Sequence, residues 1–328
     1  MAMIERKGER GKGREGAVAQ PAPTPPFPHS PFPKSSSPAA VWLQAARPKT
    51  LPAAVAPVLL GTAFAVEDGG FHPGAFLCAL LGAVLIQVGT NFANDVADFE
   101  RGADTAARKG PLRVTQAGLV TPAQVKRAAA LAFGLAFLAG VYLIVRGGWP
   151  ILALGLAAIA SGVAYTAGRY ALAYTGLADL FVLVFFGPVA VLGTYYVQTL
   201  VPMPWVAVAG LGPGFLATAI LLANNVRDVE EDRAADKRTL VVRFGRPFGV
   251  TLYAACVSGA VAVPAALVLW IGGHAGALAA SVVASLLGRP LVQTLRRTDD
   301  PAVLNPLLGK TARLLLLYCL AFGIGWLL

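Results

Sequence analysis

Charge is scarce in this chain. Asp, Glu, Lys and Arg make up only 13% of its 328 residues and 56% are hydrophobic, against the roughly 25% charged residues of soluble domains. A soluble globular protein is excluded and an integral membrane protein is implied. Cysteine and histidine are scarcer still. Cys78, Cys256 and Cys319 have no C-x-x-C spacing and fall in apolar runs, and His29, His72 and His274 are scattered. A disulfide scaffold and a zinc site are therefore not expected.

Apolar runs, by contrast, are abundant. About 20 residues span a ~30 Å hydrocarbon core, and such runs can be read at 50–67, 74–92, 128–145, 149–165, 177–197, 204–223, 249–271, 274–288 and 312–328. This predicts an all-α protein of nine transmembrane helices. Lys and Arg alternate with them: the loops after the second, fourth, sixth and eighth runs carry 18, counting Arg313 at the start of the last run, while the intervening loops carry only Arg146. Retained cytoplasmic loops collect these residues, which puts the N-terminus inside and the C-terminus outside. The net charge of +10 is thus mostly topology, and it calls for no nucleic-acid partner. Residues 1–40 form a basic, then Pro/Ser-rich stretch that cannot build a core. We read them as a disordered cytoplasmic tail ahead of a single membrane domain, residues 41–328. The tail has no apolar core of its own and so does not resemble a cleavable signal.

The 17 acids are uneven: four (Asp95, Asp98, Glu100, Asp104) lie in 95–104 and five (Asp228, Glu230, Glu231, Asp232, Asp236) in 228–236. Both groups follow an even-numbered span and so share one side of the membrane. Asn91-x-x-x-Asp95-x-x-Asp98 and Asn224-x-x-x-Asp228-x-x-x-Asp232 each place an amide and two carboxylates on one helix face. Like charges at that spacing repel, so solubility alone would not build them. A solvated acidic loop accounts for one such motif but poorly for two, each beginning with Asn inside an apolar span. Paired carboxylates without His or Cys suit Mg²⁺, which takes oxygen ligands and is commonly shared with a substrate phosphate. The implied ligand is a diphosphate. Lys109, Arg113, Arg227, Lys237 and Arg238 flank the acids as candidate counter-charges.

From Trp42 to Leu328 the chain resembles the UbiA superfamily of intramembrane aromatic prenyltransferases. The strings that carry the resemblance are ARPKTLPAAVAPVLLGTA (46–63), NFANDVADFERGAD (91–104) with GPLRVTQAG, LFVLVFFGPVAVLGTYYVQT (180–199), NNVRDVEEDRAADKRTLVVRFG (224–245) and LNPLLGKTARL (304–314). They are most similar to the branch that prenylates 1,4-dihydroxy-2-naphthoate on the way to menaquinone. The resemblance implies nine helices around a central cavity in a bacterial inner membrane, with the active site near the cytoplasmic face. It also implies two Mg²⁺ ions, one held by Asp95 and Asp98 and one by Asp228 and Asp232. Asn91 and Asn224 would sit beside the substrates, and Arg113, Lys237 and Arg238 would contact the diphosphate. Lys49 or Arg47 would meet the carboxylate of the aromatic acid. Tyr165, in an element similar to the family's Y-x-x-x-K but with Arg169 in place of Lys, would join Tyr195 and Tyr196 as a wall. The first acid pair is spaced D-x-x-D, with Phe99 where many relatives carry the second acid. Two alternatives stay open: another aromatic acceptor, such as 4-hydroxybenzoate or homogentisate, and an ion transporter. The latter fits less well, because transporter sites lie near the bilayer midplane.

Overall fold

The computed structural model describes residues 37–102, 113–164, 172 and 175–328, and among these every regular element is helical. The helices are α1 (Pro38–Ala45), α2 (Pro52–Glu67), α3 (Pro73–Glu100), α4 (Pro122–Gly147), α5 (Trp149–Ala164), α6 (Ala178–Val184), α7 (Ala190–Thr199), α8 (Pro204–Arg227), α9 (Val229–Ala234), α10 (Leu240–Phe244), α11 (Arg246–Ile271), α12 (Leu278–Arg297) and α13 (Pro301–Leu327). Their starts are written in the sequence. Proline stands in the first turn of α1, α2, α3, α4, α8 and α13, where its missing N–H costs nothing and its φ is already helical. Thr121 and Gln124 form a reciprocal capping box on α4.

Each of the nine predicted segments falls on a helix, but among the described residues seven helices are long and apolar enough to cross a membrane, or eight if one bent pair counts as a single span. That pair is α1 with the short helical turn Pro48–Thr50, followed by α2, with a 54° bend between them. The remaining segment is α5, whose 16 described residues reach about 24 Å, short of the ~30 Å core. The protein is a multi-pass membrane protein on this count. The acidic stretch after the second run is no loop, because α3 carries straight on to Glu100.

One helix is the axis of the fold. The apolar window of α8 is 72% buried, against 22% for α3 and for α4, and it packs on α11, α13 and the α6–α7 segment. The core around it includes Leu216, Leu222, Tyr253, Leu315 and Phe322. Close approach is achieved at a break: Phe185–Val189 is a π turn between α6 and α7, containing Pro188 and the non-helical Gly187. A Cβ on Gly187 would meet the Gly210 carbonyl of α8 at 2.6 Å, so this contact admits only glycine. A second, smaller core joins α1, α3 and α4 through Val41, Phe92, Val96 and Val125, with Val114 from the turn before α4. It holds the acidic end of α3 in place.

The other end of the bundle is tied by aromatic and polar contacts. Trp326 stacks on Trp205 at 5.0 Å and on His274 at 4.2 Å. His72 accepts from Ala75 N at 3.2 Å as the cap of α3, so both described histidines have structural work.

Candidate active site

The two acidic motifs come together at one end of the bundle, and their carboxylates are buried. Asp95, Asp98, Asp228 and Asp232 are 2%, 1%, 5% and 7% exposed, so they do not form a solvated face. α3 delivers the first pair. After α3 the chain returns over its own end as a turn at 113–120. There Arg113 donates from Nη2 to Asp98 Oδ2 at 2.6 Å and from Nη1 to the Asn94 carbonyl at 2.8 Å, and the Thr115 N–H donates to Asp95 Oδ1 at 3.3 Å.

α8 and α9 deliver the second pair. Asp228 stands at the joint between them. Arg227 forks onto it, Nε to Oδ1 and Nη2 to Oδ2, both at 2.6 Å. The same guanidinium donates to Asn224 Oδ1 and, at 3.1 Å, to Asn305 Oδ1 on α13. Asp232 follows one turn later. Asp236 then takes a left-handed conformation, φ 52°, which turns the next residue inward. Lys237 Nζ lies 3.6 Å from Asp232 Oδ1 and 3.6 Å from Asp98 Oδ2. One ammonium thus bridges the two motifs, and their carboxylate oxygens can be no further apart than twice that distance. Burial pushes the Asp232 carboxyl up to about 6; Lys237 pulls it down, and Asp228 and Asp98 push it further up.

The other residues singled out from the sequence fall in three places. Arg238, one position after Lys237, is exposed and pairs at 3.7 Å with the exposed Asp236. Arg47 occupies a left-handed corner, φ 52°, and donates to Asn94 Oδ1 at 3.0 Å. Asn91 secures that corner, donating to the Ala46 carbonyl at 2.9 Å and to Thr50 Oγ1 at 3.1 Å, and Gln87 adds a bond to the same hydroxyl at 3.3 Å. Lys49 is exposed and passes over Gly309 of α13. Tyr195 and Tyr196 belong to the opposite end of the bundle, where their hydroxyls donate to Asp68 and to the Gly147 carbonyl. Tyr165, Arg169, Asp104 and Lys109, like the tail through residue 36, lie outside the described residues.

Thr50, Gln87, Asn94, Thr115 and Asn305 are not singled out by sequence reasoning, whereas Arg227, named there as a candidate counter-charge, does pair with Asp228. Only Arg227 carries a usable signal, since it directly precedes Asp228 at a helix end.

The donor set suits a hard cation. It is all oxygen, and among the described residues no three of His, Cys, Asp and Glu converge tightly enough to enclose a metal unaided. A metal held here would have to complete its shell with oxygens from a ligand, as Mg²⁺ does with phosphates. Deeper in the bundle an apolar cavity of about 190 Å³, lined by residues such as Val58, Ile86, Phe137, Ile159 and Val197, opens between α2, α3, α4, α5 and α7. On α3, Ile86 lies nine residues before Asp95, about 13 Å along the helix.

Comparison with known proteins agrees with this architecture. The model of the UbiA prenyltransferase family matches residues 54–308. The chain is 36% identical over 296 residues to 1,4-dihydroxy-2-naphthoate octaprenyltransferase of Escherichia coli (strain K12), covering 87% of this chain and 94% of that protein. With the enzyme of the same name from Mycobacterium tuberculosis it shares 38% over 247 residues, 70% of this chain and 84% of the other. Among solved structures, a UbiA homolog from Archaeoglobus fulgidus bound to DMAPP and Mg²⁺ superposes with a TM-score of 0.58 at 16% identity, covering 86% of this chain and 98% of that one. A UbiA homolog from Aeropyrum pernix K1, in its apo form, gives the same score and identity, covering 86% and 96%. At such identity the two structures speak for the fold alone.

Proposed function

The chain belongs to the UbiA prenyltransferase family, and from that premise we propose that it transfers a polyprenyl group from prenyl diphosphate to 1,4-dihydroxy-2-naphthoate. CO₂ and diphosphate leave, and because the ring keeps both hydroxyls the product is the quinol form of the demethylated menaquinone. The acceptor is taken from the relatives so named. The observation that carries the site is the Lys237 ammonium, 3.6 Å from a carboxylate of each motif, because it makes two distant acidic motifs one crevice.

We assign two Mg²⁺ ions to that crevice, one to be held by Asp95 and Asp98 and one by Asp228 and Asp232. When bound they would neutralise the charge that grows on the departing diphosphate. The chain's own cations complete the task. Arg113 and Lys237, which already rest on the carboxylates, have side chains able to reach an anion bound beside them. Arg238 would contact it only if α9 and the following turn closed over the substrate. As the C1–oxygen bond breaks, positive charge develops on the allylic C1, and the apolar walls behind the crevice keep water from quenching it. The naphthoate ring then forms the C1–carbon bond at its carboxylate-bearing carbon, and the carboxyl group leaves as CO₂. Arg47, held by Asn94 at the edge of the first motif, would meet that carboxylate, with the exposed Lys49 outside it. The polyprenyl tail would begin in the cavity below Ile86 and continue into lipid, since each CH₂ left in water costs about 0.8 kcal/mol. We place nine spans in a bacterial inner membrane with the N-terminus and the crevice on the cytoplasmic side, on the alternation of Lys and Arg and on the bacterial relatives.

The acceptor is tested by comparing kcat/KM for 1,4-dihydroxy-2-naphthoate and 4-hydroxybenzoate with one prenyl diphosphate, with CO₂ release measured alongside. A second ring buries an additional ~40–60 Å² of apolar area, about 1–1.5 kcal/mol or roughly tenfold. The more electron-rich dihydroxy ring should widen the gap. Equal values, or a preference for the single ring, would transfer the assignment to another branch.

Metal binding should also depend on pH. Asp232 holds its proton below about 6, and a metal must displace it. Mg²⁺ affinity in the presence of diphosphate is expected to fall by up to about tenfold per unit as pH drops below about 6 and to level off above about 7. A flat profile between about 5 and 7 would remove Asp232 from the ligand set.

A further inference from the structure

The turn that folds back over α3 contains a side chain the foregoing scheme does not use. Thr115 is 3% exposed, and its Oγ1 is fully buried with no hydrogen-bond partner. A buried hydroxyl in that state weakens the fold, and valine has nearly the same shape without the penalty. The Thr115 N–H donates to Asp95 Oδ1 at 3.3 Å, and covalent geometry keeps Oγ1 within about 4 Å of that nitrogen. Val114, 1% exposed, anchors the turn in the core with Phe92 and Val96. Backbone bonds from Ala117 N to the Arg113 carbonyl, Gly118 N to the Thr115 carbonyl and Leu119 N to the Val114 carbonyl, each 3.0 Å, close it. The hydroxyl therefore sits beside Asp95 on a rigid support, with an unused donor.

We propose that Thr115 is a substrate-contacting residue, its hydroxyl donating a hydrogen bond to an oxygen of the diphosphate that binds beside Asp95, where the Mg²⁺ held by Asp95 would separate the two anions. The inference rests on the diphosphate reading above. An anionic oxygen is the partner that fits, because the site gathers cations, with Arg113 two residues away on Asp98 and Lys237 on the far side. The cost of the buried hydroxyl in the free protein is recovered only when ligand arrives, which is how a group kept for binding rather than for folding behaves.

The two roles predict opposite results for Thr115→Val in the full chain, purified in detergent. Without ligand the variant should melt at or above the wild-type temperature, because a methyl replaces a hydroxyl without a partner. Titrated calorimetrically with inorganic pyrophosphate in Mg²⁺, it should bind about tenfold to a hundredfold more weakly than wild type, the usual range for a bond to a charged group. Thr115→Ser, which keeps the hydroxyl, should bind close to wild type. A valine variant that binds as tightly as wild type overturns the inference, and so does one that melts lower without ligand, since the hydroxyl would then serve the fold. If wild type itself takes up no pyrophosphate with Mg²⁺, the diphosphate reading fails and this inference with it. Binding by wild type with an unchanged valine variant defeats the inference alone.

Discussion

Replacing Asp95 by Asn should lower turnover by at least about 10²-fold, the loss seen when one electrostatic stabiliser of a developing charge is removed, with folding little changed. Asp95 is the carboxylate best suited to separate chemistry from stability. Asp98 is paired with Arg113 and Lys237, Asp228 with Arg227, and Asp232 with Lys237. Among the described residues Asp95 makes no ion pair, and it accepts from the Thr115 N–H. An asparagine oxygen can accept the same bond, so no buried cation is left without a counter-charge. Single-turnover rates in saturating Mg²⁺, set beside thermal unfolding in the same detergent, check the prediction. A variant keeping more than half its activity would remove Asp95 from the metal site.

Arg227→Met should act mainly on stability. The guanidinium is 4% exposed and serves Asn224, Asp228 and Asn305 together. Breaking a buried pair by removing one partner typically costs about 3–5 kcal/mol, because the remaining charge has nothing to offset it. Arg227→Lys should recover only part of this, since a single ammonium cannot reproduce the planar fork on Asp228. The double variant Arg227→Met with Asp228→Leu removes both charges and should regain most of the stability while staying inactive. Denaturation midpoints of the three variants test the account, and a stable Arg227→Met would refute it.

Much of the fold and of the crevice is legible in the amino-acid sequence alone. The nine apolar segments all lie on helices, because long hydrophobic runs have few other fates in a membrane. The spacing of the first motif puts its carboxylates on one face of α3; the second motif is instead split at Asp228 between α8 and α9, and the structure brings the two to one crevice. Direction is what the sequence does not carry. Lys237 and Arg238 are neighbours with equivalent flanks, and only the left-handed turn at Asp236 sends one to the carboxylates and the other to solvent. Arg227 is hidden by a competing explanation, since Lys and Arg at cytoplasmic ends are expected from topology alone. Asn91 and Asn224 look equivalent in sequence. One braces the Ala46–Thr50 corner, while the other accepts from Arg227, a difference set by which segments lie opposite each helix. The π turn at FFGPV is also invisible to hydropathy, which averages over the break.

The bond between Arg227 and Asn305 bears on how the protein is made. Arg227 ends α8, yet one of its partners comes from α13, the last helix of the chain. During synthesis this guanidinium must wait for some eighty further residues, two more long helices and the start of α13, before its full set of partners exists. A nascent or prematurely terminated chain therefore carries an incompletely paired cation at the end of α8. Docking of α13 and completion of the candidate crevice thus become the same event, so fragments that stop before Asn305 should be recognised as unassembled and degraded rather than persist.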